Sequence, residues 1–263
     1  MSNKESVKTL LNSINAYDVE LGSSVLHPDY EQHNPFIPDK AEGLLGLYPA
    51  VEQAGVKVEP VLILEDGESL VAFNRWYNAE LFGHGCNEMV SFDFYTANEE
   101  GLLTGHWDAM QCECSANKSG RNLSDGISEI TDLDKTEQNK ATVIELFDVL
   151  LNGTQEEAMA AVNEKFLTDY KQHNPDGSDG IEGFFEAQMN GKVQPRWLFE
   201  KQHKVIGEGN YVLSIAEGKH SGVHSIFYDL VRLENSKIAE HWDVIQEIPT
   251  ANLAHENGMF GFK

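Results

Sequence analysis

A tandem repeat is the feature of this sequence that most constrains its fold. The hexapeptide Tyr-x-Gln-His-Asn-Pro occupies residues 30–35 and returns at residues 170–175, a spacing of 140. The motif His-Trp-Asp-x-x-Gln occupies residues 106–111 and returns at residues 241–246, a spacing of 135. A shorter Glu-Gly match also recurs, between the two longer motifs in each case. Because this period is far longer than that of solenoid repeats, the sequence indicates two copies of one whole domain.

The repeat also sets the predicted domain boundaries within the 263 residues. We predict a first copy over residues 1–112, a linker over residues 113–137, and a second copy over residues 138–263 that ends in a short tail. The linker assignment rests on composition, because this stretch is polar and enriched in Ser, Gly, Asn and Asp. Each copy then has the length of an ordinary small domain.

The hydrophobic period changes partway along each copy. Near the start of the second copy, Val143, Phe147 and Leu150 recur at helical spacing, and Thr154 is placed to begin a second helix. This second helix is predicted to run to Leu167 and to end at the hexapeptide. Alternation typical of strands follows over residues 195–205, 211–216, 225–233 and 237–248. Helices followed by hairpins predict an α+β fold, with N-terminal helices packed on a curved antiparallel sheet in each copy.

The charge of the chain excludes two classes of partner. There are 19 Lys and Arg residues against 43 Asp and Glu residues, a net charge of −24. Without a basic stripe the surface cannot neutralise phosphates, so we expect no nucleic acid and no anionic membrane as partner. The sequence has neither a run of about 20 apolar residues nor a signal-peptide pattern, so we expect a cytoplasmic protein.

The cysteines predict neither a disulfide framework nor a metal site. Cys86, Cys112 and Cys114 are too few for a framework, so we expect reduced thiols. Cys112 and Cys114 form a Cys-x-Cys pair, and no second pair completes a zinc site. His220 and His224 lie four residues apart, but the glycines around them predict a hairpin turn rather than a helix. We therefore predict no metal.

The repeated His-Trp-Asp motif contains the first candidates for chemistry. His241 and Asp243 lie two residues apart on the predicted last strand and therefore share a face, as do His106 and Asp108 in the first copy. A histidine and a carboxylate on an apolar face suit proton transfer, because burial raises the pKa of the Asp and makes it a stronger base. The alternative is a hydrogen-bonded pair that only stabilises the sheet. Repetition does not decide between them, because duplicated structural pairs repeat as well.

The hexapeptide and two strand carboxylates are the remaining candidates. His33 and His173 each precede an Asn-Pro pair, which holds the Asn extended and can present the His and Gln at a cavity mouth. A polar turn that satisfies helix carbonyls is the alternative. Asp93 and Asp229 lie inside apolar strands. We interpret them as partners of a pocket histidine, against the alternative of exposed or structurally paired carboxylates.

These motifs resemble those of the SnoaL-like branch of the nuclear transport factor 2-like (NTF2-like) superfamily. The similarity is carried by the hexapeptide, by Lys-Ile-Ala-Glu-His-Trp-Asp-Val-Ile-Gln at residues 237–246, and by Asn-Gly-Met-Phe at residues 257–260. The resemblance implies two tandem cone-shaped α+β barrels with internal pockets, and cofactor-free acid–base chemistry next to a carbonyl group. It implies bases at Asp243 and Asp108. It further implies acids or polarising groups at His241, His106, His173 and His33, and pocket-lining aromatic residues at Tyr170, Trp242, Tyr30 and Trp107.

Two functions stay open on the sequence. One is a lyase or isomerase, similar to an aldol-condensing polyketide cyclase, that acts on a small carbonyl compound. The other is a non-catalytic module that binds a small molecule or a protein. We also predict that the two copies pack sheet to sheet as an intrachain pseudo-dimer, because a linker of about 25 residues spans that distance. This arrangement leaves room for a higher oligomer.

Overall fold

The computed structural model describes residues 2–189 and 194–262 of the chain. It divides into two compact units, of which the first comprises Met1–Glu113 and Ile248–Lys263 and the second comprises Cys114–Glu247. Each unit contains helices and one five-stranded sheet, so the predicted α+β class is confirmed. The predicted boundaries differ from these units at two places. The polar stretch predicted as a linker belongs to the second unit from residue 114 onward, and the C-terminal tail belongs to the first unit.

The helices and strands follow the same order in both units, except that two helices lie between the first two strands of the first unit and one helix lies there in the second. The first unit contains α1 (Asn3–Ala16), α2 (Val19–Ser23), β1 (Leu26–Gln32), α3 (Lys40–Leu45), α4 (Tyr48–Ala54), β2 (Lys57–Asp66), β3 (Ser69–Tyr77), β4 (Glu88–Ala97) and β5 (Leu103–Cys112). The second unit contains α5 (Thr136–Asn152), α6 (Gln155–Lys165), β6 (Phe166–Gln172), α7 (Gly180–Met189), β7 (Trp197–Glu208), β8 (Tyr211–His220), β9 (Val223–Glu234) and β10 (Lys237–Glu247).

Each sheet joins an antiparallel meander to one parallel strand. The strand orders are β1-β5-β4-β3-β2 and β6-β10-β9-β8-β7. Strands β1 and β6 run parallel to β5 and β10, and the remaining pairs are antiparallel. The expected meander is therefore present. The expected helix to Leu167 is wrong, because α6 ends at Lys165 and β6 begins at the next residue.

The helices pack on one face of each sheet and form its apolar core. In the first unit, Val7 and Leu10 of α1 are buried among residues of α4 and the meander. In the second unit, Val143 and Phe147 of α5 are buried together with Phe166 of β6. Thr154 begins α6 with a capping box that it forms with Glu157. Within the described residues, no helix combines the length and the apolar character that crossing a membrane requires.

Cys86 and Cys112 form a disulfide bond, so the prediction that the cysteines are reduced thiols is wrong for this pair. Antiparallel pairing places Met89 at the start of β4 opposite Cys112 at the end of β5. Because Cys86 lies just before β4, its Cα atom comes within 5.9 Å of that of Cys112. This proximity depends on strand pairing, which the sequence spacing of 26 residues does not reveal. Cys114 is exposed and lies outside the disulfide.

Candidate active site

Strand pairing in the second unit brings three predicted site residues together. Asp229 of β9 lies opposite Asp243 of β10, and Val231 lies opposite His241. The Nε2 atom of His241 is 3.1 Å from Oδ1 of Asp229. One ligand-type atom from each of Asp229, His241 and Asp243 lies within 4.8 Å of the other two. We call Asp229, His241 and Asp243 the second triad.

The hexapeptide holds the second triad in place. Gln172, at the end of β6, accepts a hydrogen bond on Oε1 from the backbone N–H of Asn174 at 2.9 Å. The same oxygen lies 2.9 Å from Nδ1 of His241, so Nδ1 carries a proton and donates it. The Nε2–H of His241 donates to the carboxylate of Asp229. Both ring nitrogens of His241 therefore face oxygen acceptors, an arrangement that favours the positively charged imidazolium.

The charges around His241 favour this protonated form. Burial alone would lower the pKa of His241, but the hydrogen bond to Asp229 and the charge of Asp243 outweigh burial, and the pKa is raised. The side chain is only 15% exposed, so little water screens these interactions. The two carboxyl groups of the triad therefore stabilise the protonated form of His241 between them.

Asp243 is the member of the triad with the most perturbed acidity. Its Oδ2 atom accepts a hydrogen bond from Nδ2 of Asn174 at 2.7 Å. Its Oδ1 atom is buried and has no hydrogen-bond partner, and the same is true of Oδ2 of Asp229. Burial raises the pKa of Asp243 to about 6, against the opposing effect of the positive charge on His241. Asp243 therefore ionises close to neutral pH and becomes a stronger base than an exposed aspartate.

An apolar pocket lies between the helices and the sheet of the second unit, over the triad. Its cavity volume is about 60 Å³, and the unfilled space of about 700 Å³ around its lining includes open solvent. Asp229, His241 and Asp243 form the charged part of its wall, next to Val231 and Ile238. The aromatic part of the wall consists of Phe147, Phe166, Phe184, Trp197 and Phe199. Nε1 of Trp197 is a buried donor without a hydrogen-bond partner.

A β-bulge changes one expectation about the last strand. The alternation of β10 predicts that Ala239 shares a face with His241. The register of β10 shifts between Ile238 and Glu240 on both of its neighbouring strands, and Ile238 lines the pocket instead. Bulges of this kind re-aim side chains next to functional sites, and their position depends on the partner strands.

The first unit contains an equivalent triad of Asp93, His106 and Asp108, also within 4.8 Å of one another. Asp93 lies opposite Asp108 in the pairing of β4 with β5. His106 Nε2 lies 2.9 Å from Asp93 Oδ1, and its Nδ1 lies 3.2 Å from Gln32 Oε1. Burial raises the pKa of Asp108 to about 6, with the charge of His106 opposing the rise. We call these residues the first triad.

The two triads differ in how well their carboxylates are satisfied. Nδ2 of Asn34 donates to both oxygens of Asp108, at 3.0 and 2.9 Å. Asp93 accepts from His106 on one oxygen and from Asn74 and Ser91 on the other. Every carboxylate oxygen of the first triad is therefore paired. Each carboxylate of the second triad keeps one buried oxygen without a partner.

The structure places His173 and His33 outside the triads. His173 lies 2.9 Å from Glu240 and 2.7 Å from the carbonyl oxygen of Asn122, and it stacks on Trp242. His33 lies 2.9 Å from the carbonyl oxygen of Gly258 in the C-terminal tail and stacks on Trp107. Burial lowers the pKa of His33. Neither histidine forms a hydrogen bond with an Asp of the triads, and their role as acids stays a prediction.

Of the four predicted pocket aromatics, Tyr170 and Trp242 of the second unit do not line the pocket over the second triad. Tyr30 and Trp107 belong to the first unit, and their predicted role there stays a prediction. Trp242 donates its Nε1–H to the carbonyl oxygen of Asp125. Tyr170 and Tyr30 are buried in the helix-side cores, where each tyrosine oxygen lies within hydrogen-bond reach of the Gln two residues later. Trp107 stacks on His33. Large aromatic residues at such positions supply core packing.

Sequence reasoning missed the supporting residues Asn34 and Asn174. The signal for the two asparagines was present, because both belong to the repeated hexapeptide and each donates to the Asp of the repeated His-Trp-Asp motif. Trp197 lies at the start of β7, where the sequence indicates a core or pocket-lining aromatic residue, and the structure places it in the pocket wall.

Each triad also has the composition of a metal site. A carboxylate oxygen from each Asp and a ring nitrogen from the His lie close enough to converge on an ion. A metal would bind the neutral imidazole. In both triads the histidine instead uses both ring nitrogens in hydrogen bonds with a glutamine oxygen and a carboxylate. These hydrogen bonds fit a protonated imidazolium better than a neutral imidazole that coordinates a metal ion.

Comparison with known proteins finds similarity at the level of structure only. No family model matches the chain, and no curated protein matches it. Among solved structures, TsrD from Streptomyces laurentii is 19% identical over 41% of this chain and 87% of its own, with a TM-score of 0.35. IdmH from Streptomyces antibioticus, described as a candidate polyketide cyclase, is 16% identical over 42% of this chain and 93% of its own, with a TM-score of 0.35. An NTF2-like protein of unknown function from Cytophaga hutchinsonii is 12% identical over 42% of this chain and 91% of its own, with a TM-score of 0.35. Matches of this size carry no information on activity.

Proposed function

We propose that the second unit is a cofactor-free acid–base enzyme, a lyase or isomerase that acts on a small carbonyl compound. The observation that carries the proposal is the unpartnered Oδ1 of Asp243, buried in the wall of an apolar pocket on a carboxyl group whose pKa is raised to about 6. A base of this strength is ionised at neutral pH and still retains affinity for a proton. The resemblance of the motifs to the SnoaL-like branch agrees with this chemistry.

The proposed reaction begins with proton transfer from carbon to Asp243. The C–H bond next to the substrate carbonyl breaks, its proton moves to Oδ1 of Asp243, its electron pair forms the C=C bond of an enolate, and the π pair of the C=O bond moves onto the oxygen. Return of the proton at another carbon of a conjugated enolate gives an isomer. Attack of the enolate carbon on a second carbonyl instead forms a carbon–carbon bond and restores the first C=O bond, and the alkoxide formed on the second oxygen takes the proton back from Asp243. His241 acts as a positioning residue, because its charge lies between the two carboxyl groups while Gln172 and Asp229 hold both ring nitrogens.

Trp197 is the proposed donor to the substrate oxygen. It lines the same pocket, and its buried Nε1–H lacks a partner. Negative charge that develops on a carbonyl oxygen needs such a donor in an apolar site. An unpartnered buried N–H costs about 1–3 kcal/mol, and a bound carbonyl oxygen would relieve this cost.

Exchange of carbon-bound protons tests the proposal with simple ketones in place of the natural substrate. A panel of aryl ketones and 1,3-diketones is incubated with the protein in D2O, and loss of the proton next to the carbonyl is followed by NMR. We expect exchange with the wild type and at least a 100-fold slower rate with Asp243→Asn, in line with the usual contribution of a general base. The asparagine retains an oxygen for Asn174, so this variant preserves the local hydrogen bond. The exposed Asp169→Asn variant is the control and should exchange at the wild-type rate.

A second candidate function is binding without turnover. It is favoured by the hydrogen bonds at both ring nitrogens of His241, which leave this histidine no free position for proton transfer to a ligand. Binding of a neutral aryl ketone with no exchange of its protons, in wild type and Asp243→Asn alike, would select this function over catalysis.

A further inference from the structure

Strand register identifies equivalent positions around the two triads. In the first unit Asp93 lies opposite Asp108, and Tyr95 lies opposite His106. In the second unit Asp229 lies opposite Asp243, and Val231 lies opposite His241. Tyr95 and Val231 are therefore equivalent. Each follows the Asp of its strand by two residues and lies opposite the histidine of its triad.

Tyr95 covers the histidine of the first triad. Its ring is parallel to that of His106 within 14°, with ring centroids 4.7 Å apart. Tyr95 is 2% exposed, and burial raises its pKa well above the ordinary range, so the phenol stays neutral. Val231 has no ring to stack on His241, and it lines the pocket. The side chain of His241 is 15% exposed, compared with 5% for His106.

A second ring adds to the difference. Asn74 lies opposite Ser91 in the first unit, two residues before Trp76, and Trp76 donates its Nε1–H to Ser91 at 2.8 Å. By register with the carboxylates, the residue of the second unit at the place of Trp76 is Gly218. A Cβ atom at Gly218 would lie 2.0 Å from the carbonyl oxygen of Leu198, so no side chain fits there. The second unit therefore cannot place a side chain at Gly218 where the first unit has the indole ring of Trp76.

The hydrogen-bond donors to Asp93 in the first unit have no counterparts at Asp229 in the second unit. Asn74 and Ser91 both donate to Oδ2 of Asp93. The residues at their places in the second unit are Ala216 and Phe227, which lie opposite each other and have no polar side-chain atoms. Oδ2 of Asp229 is left without a partner as a result. A ligand with a hydrogen-bond donor would satisfy it.

We propose that the ligand-binding site belongs to the second unit alone, and that Tyr95 fills in the first unit the space that the ligand occupies beside His241. The ligand class is a compact, largely apolar molecule that carries both a hydrogen-bond acceptor and a donor or acidic C–H group. Its acceptor matches Trp197, and its donor or acidic C–H group matches the unpartnered oxygens of Asp229 and Asp243. The part of this inference that concerns turnover of the ligand rests on the proposed function. The part that concerns binding rests on the packing differences between the two units.

The four tryptophans make the site of binding measurable in the intact chain. Two of them, Trp76 and Trp107, belong to the first unit, and Trp197 and Trp242 belong to the second. The protein is labelled with 5-fluorotryptophan, each ¹⁹F resonance is assigned by a Trp→Phe variant, and prodan, a neutral naphthyl ketone, is titrated in. We expect the Trp197 resonance to shift with a stoichiometry of one, while Trp76 stays in place. A shift of Trp76, a stoichiometry of two, or no shift of Trp197 would overturn the inference.

Substitution of each of the two equivalent residues, Tyr95 and Val231, by the other provides the matched variants. Val231→Tyr should weaken prodan binding at least tenfold, whereas Asp169→Asn, at an exposed position outside the pocket, should bind within twofold of the wild type. Tyr95→Val should leave the Trp197 response unchanged. Unaltered binding by a folded Val231→Tyr protein would contradict the inference. If prodan shifts Trp197 but no ketone exchanges its protons, the proposed function fails and the binding site stands. If the Val231→Tyr protein still exchanges ketone protons at the wild-type rate, the inference about the binding site fails and the proposed function stands.

Discussion

At the residue scale, the repeated hexapeptide forms hydrogen bonds with the repeated His-Trp-Asp motif. Gln172 fixes the imidazole of His241, and Asn174 fixes the carboxylate of Asp243. Gln32 and Asn34 make the corresponding contacts in the first unit. The two motifs, distant in sequence, thus recur together because each supplies the hydrogen bonds that the other needs.

Asn174 tunes the acidity of the proposed base. Its hydrogen bond stabilises the ionised carboxylate and lowers the pKa of Asp243, against the larger effect of burial. We expect exchange activity in the wild type to rise with pH through about 6, as Asp243 loses its proton. In Asn174→Ala the rise should move to higher pH by roughly half a unit to one unit, because a hydrogen bond of about 1 kcal/mol is lost. Asn34→Ala makes the same change in the first unit and should leave the pH profile in place.

Trp197 provides a separate test at this scale. Trp197→Phe retains an aromatic ring but removes the Nε1–H, so we expect proton exchange to slow roughly 10- to 100-fold while prodan binding weakens much less. The rate and the dissociation constant are measured on the same samples. An unchanged exchange rate in this variant would remove Trp197 from the proposed mechanism.

At the element scale, the disulfide belongs to one unit only. It joins the segment before β4 to the end of β5 and closes a loop across a sequence separation of 26 residues. Loss of a disulfide that closes a loop of this size costs about 3–4 kcal/mol. We expect Cys86→Ser to increase hydrogen exchange of backbone amides in β4 and β5 and to leave β9 and β10 unchanged. Cys114→Ser is the matched control, and equal loosening of both sheets in Cys86→Ser would contradict the prediction.

The two parallel strands, β1 and β6, are the elements that the sequence did not predict. The meander was predictable, because its alternation and turns are local signals. Strands β1 and β6 were not, because each is only seven residues long and pairs with a strand from the far end of its unit. In β6 the burial of Phe166, Tyr170 and Gln172 follows no strict alternation. Only the pairing with β10 makes this segment a strand.

At the scale of the whole molecule, the buried triads and the net charge act on stability in the same direction. Asp108 and Asp243 have pKa values raised to about 6, so each binds its proton more tightly in the folded state. The stability that this supplies, up to about 3 kcal/mol per group, is fully present below the unfolded pKa of 3.8 and is lost as pH rises from there through 6, so that only the last part of the loss falls above pH 5.5. His106 and His241 also have raised pKa values, so their contribution is present below about 6.5 and is lost as pH rises through their folded pKa values. A net charge of −24 adds repulsion above the same range.

We therefore expect the melting temperature to be higher at pH 5.5 than at pH 8, as measured by scanning calorimetry. Carboxylates with lowered pKa values, such as Asp179 and Glu240, oppose this trend only at lower pH, where they gain protons. Repeating the measurement in 0.5 M NaCl screens the surface repulsion more than the buried groups. A melting temperature that stays flat between the two pH values in high salt would contradict the role given to the triads.

The arrangement of the two units relative to each other stays a prediction. We expect sheet-to-sheet packing, and small-angle scattering that resolves two separated lobes would contradict it. What the structure adds at this scale is the assignment of the C-terminal tail to the first unit, where Asn257 donates to the carbonyl oxygen of Gln32 and Gly258 contacts His33. These contacts tie the tail to the hexapeptide of the first unit.

The sequence by itself determined the two repeated motifs, the α+β class and the shared face of each His and Asp, because spacing and period are local properties. It also determined the acidic surface. Tertiary structure alone decided that Gln172 and Asn174 support His241 and Asp243, that Cys86 pairs with Cys112, and that His173 and His33 lie away from the triads. It decided as well that the first triad is fully paired while the second keeps unpartnered oxygens in a pocket. These outcomes depend on which distant strands meet and how completely their side chains fill the space between them, and no spacing along the chain encodes that directly.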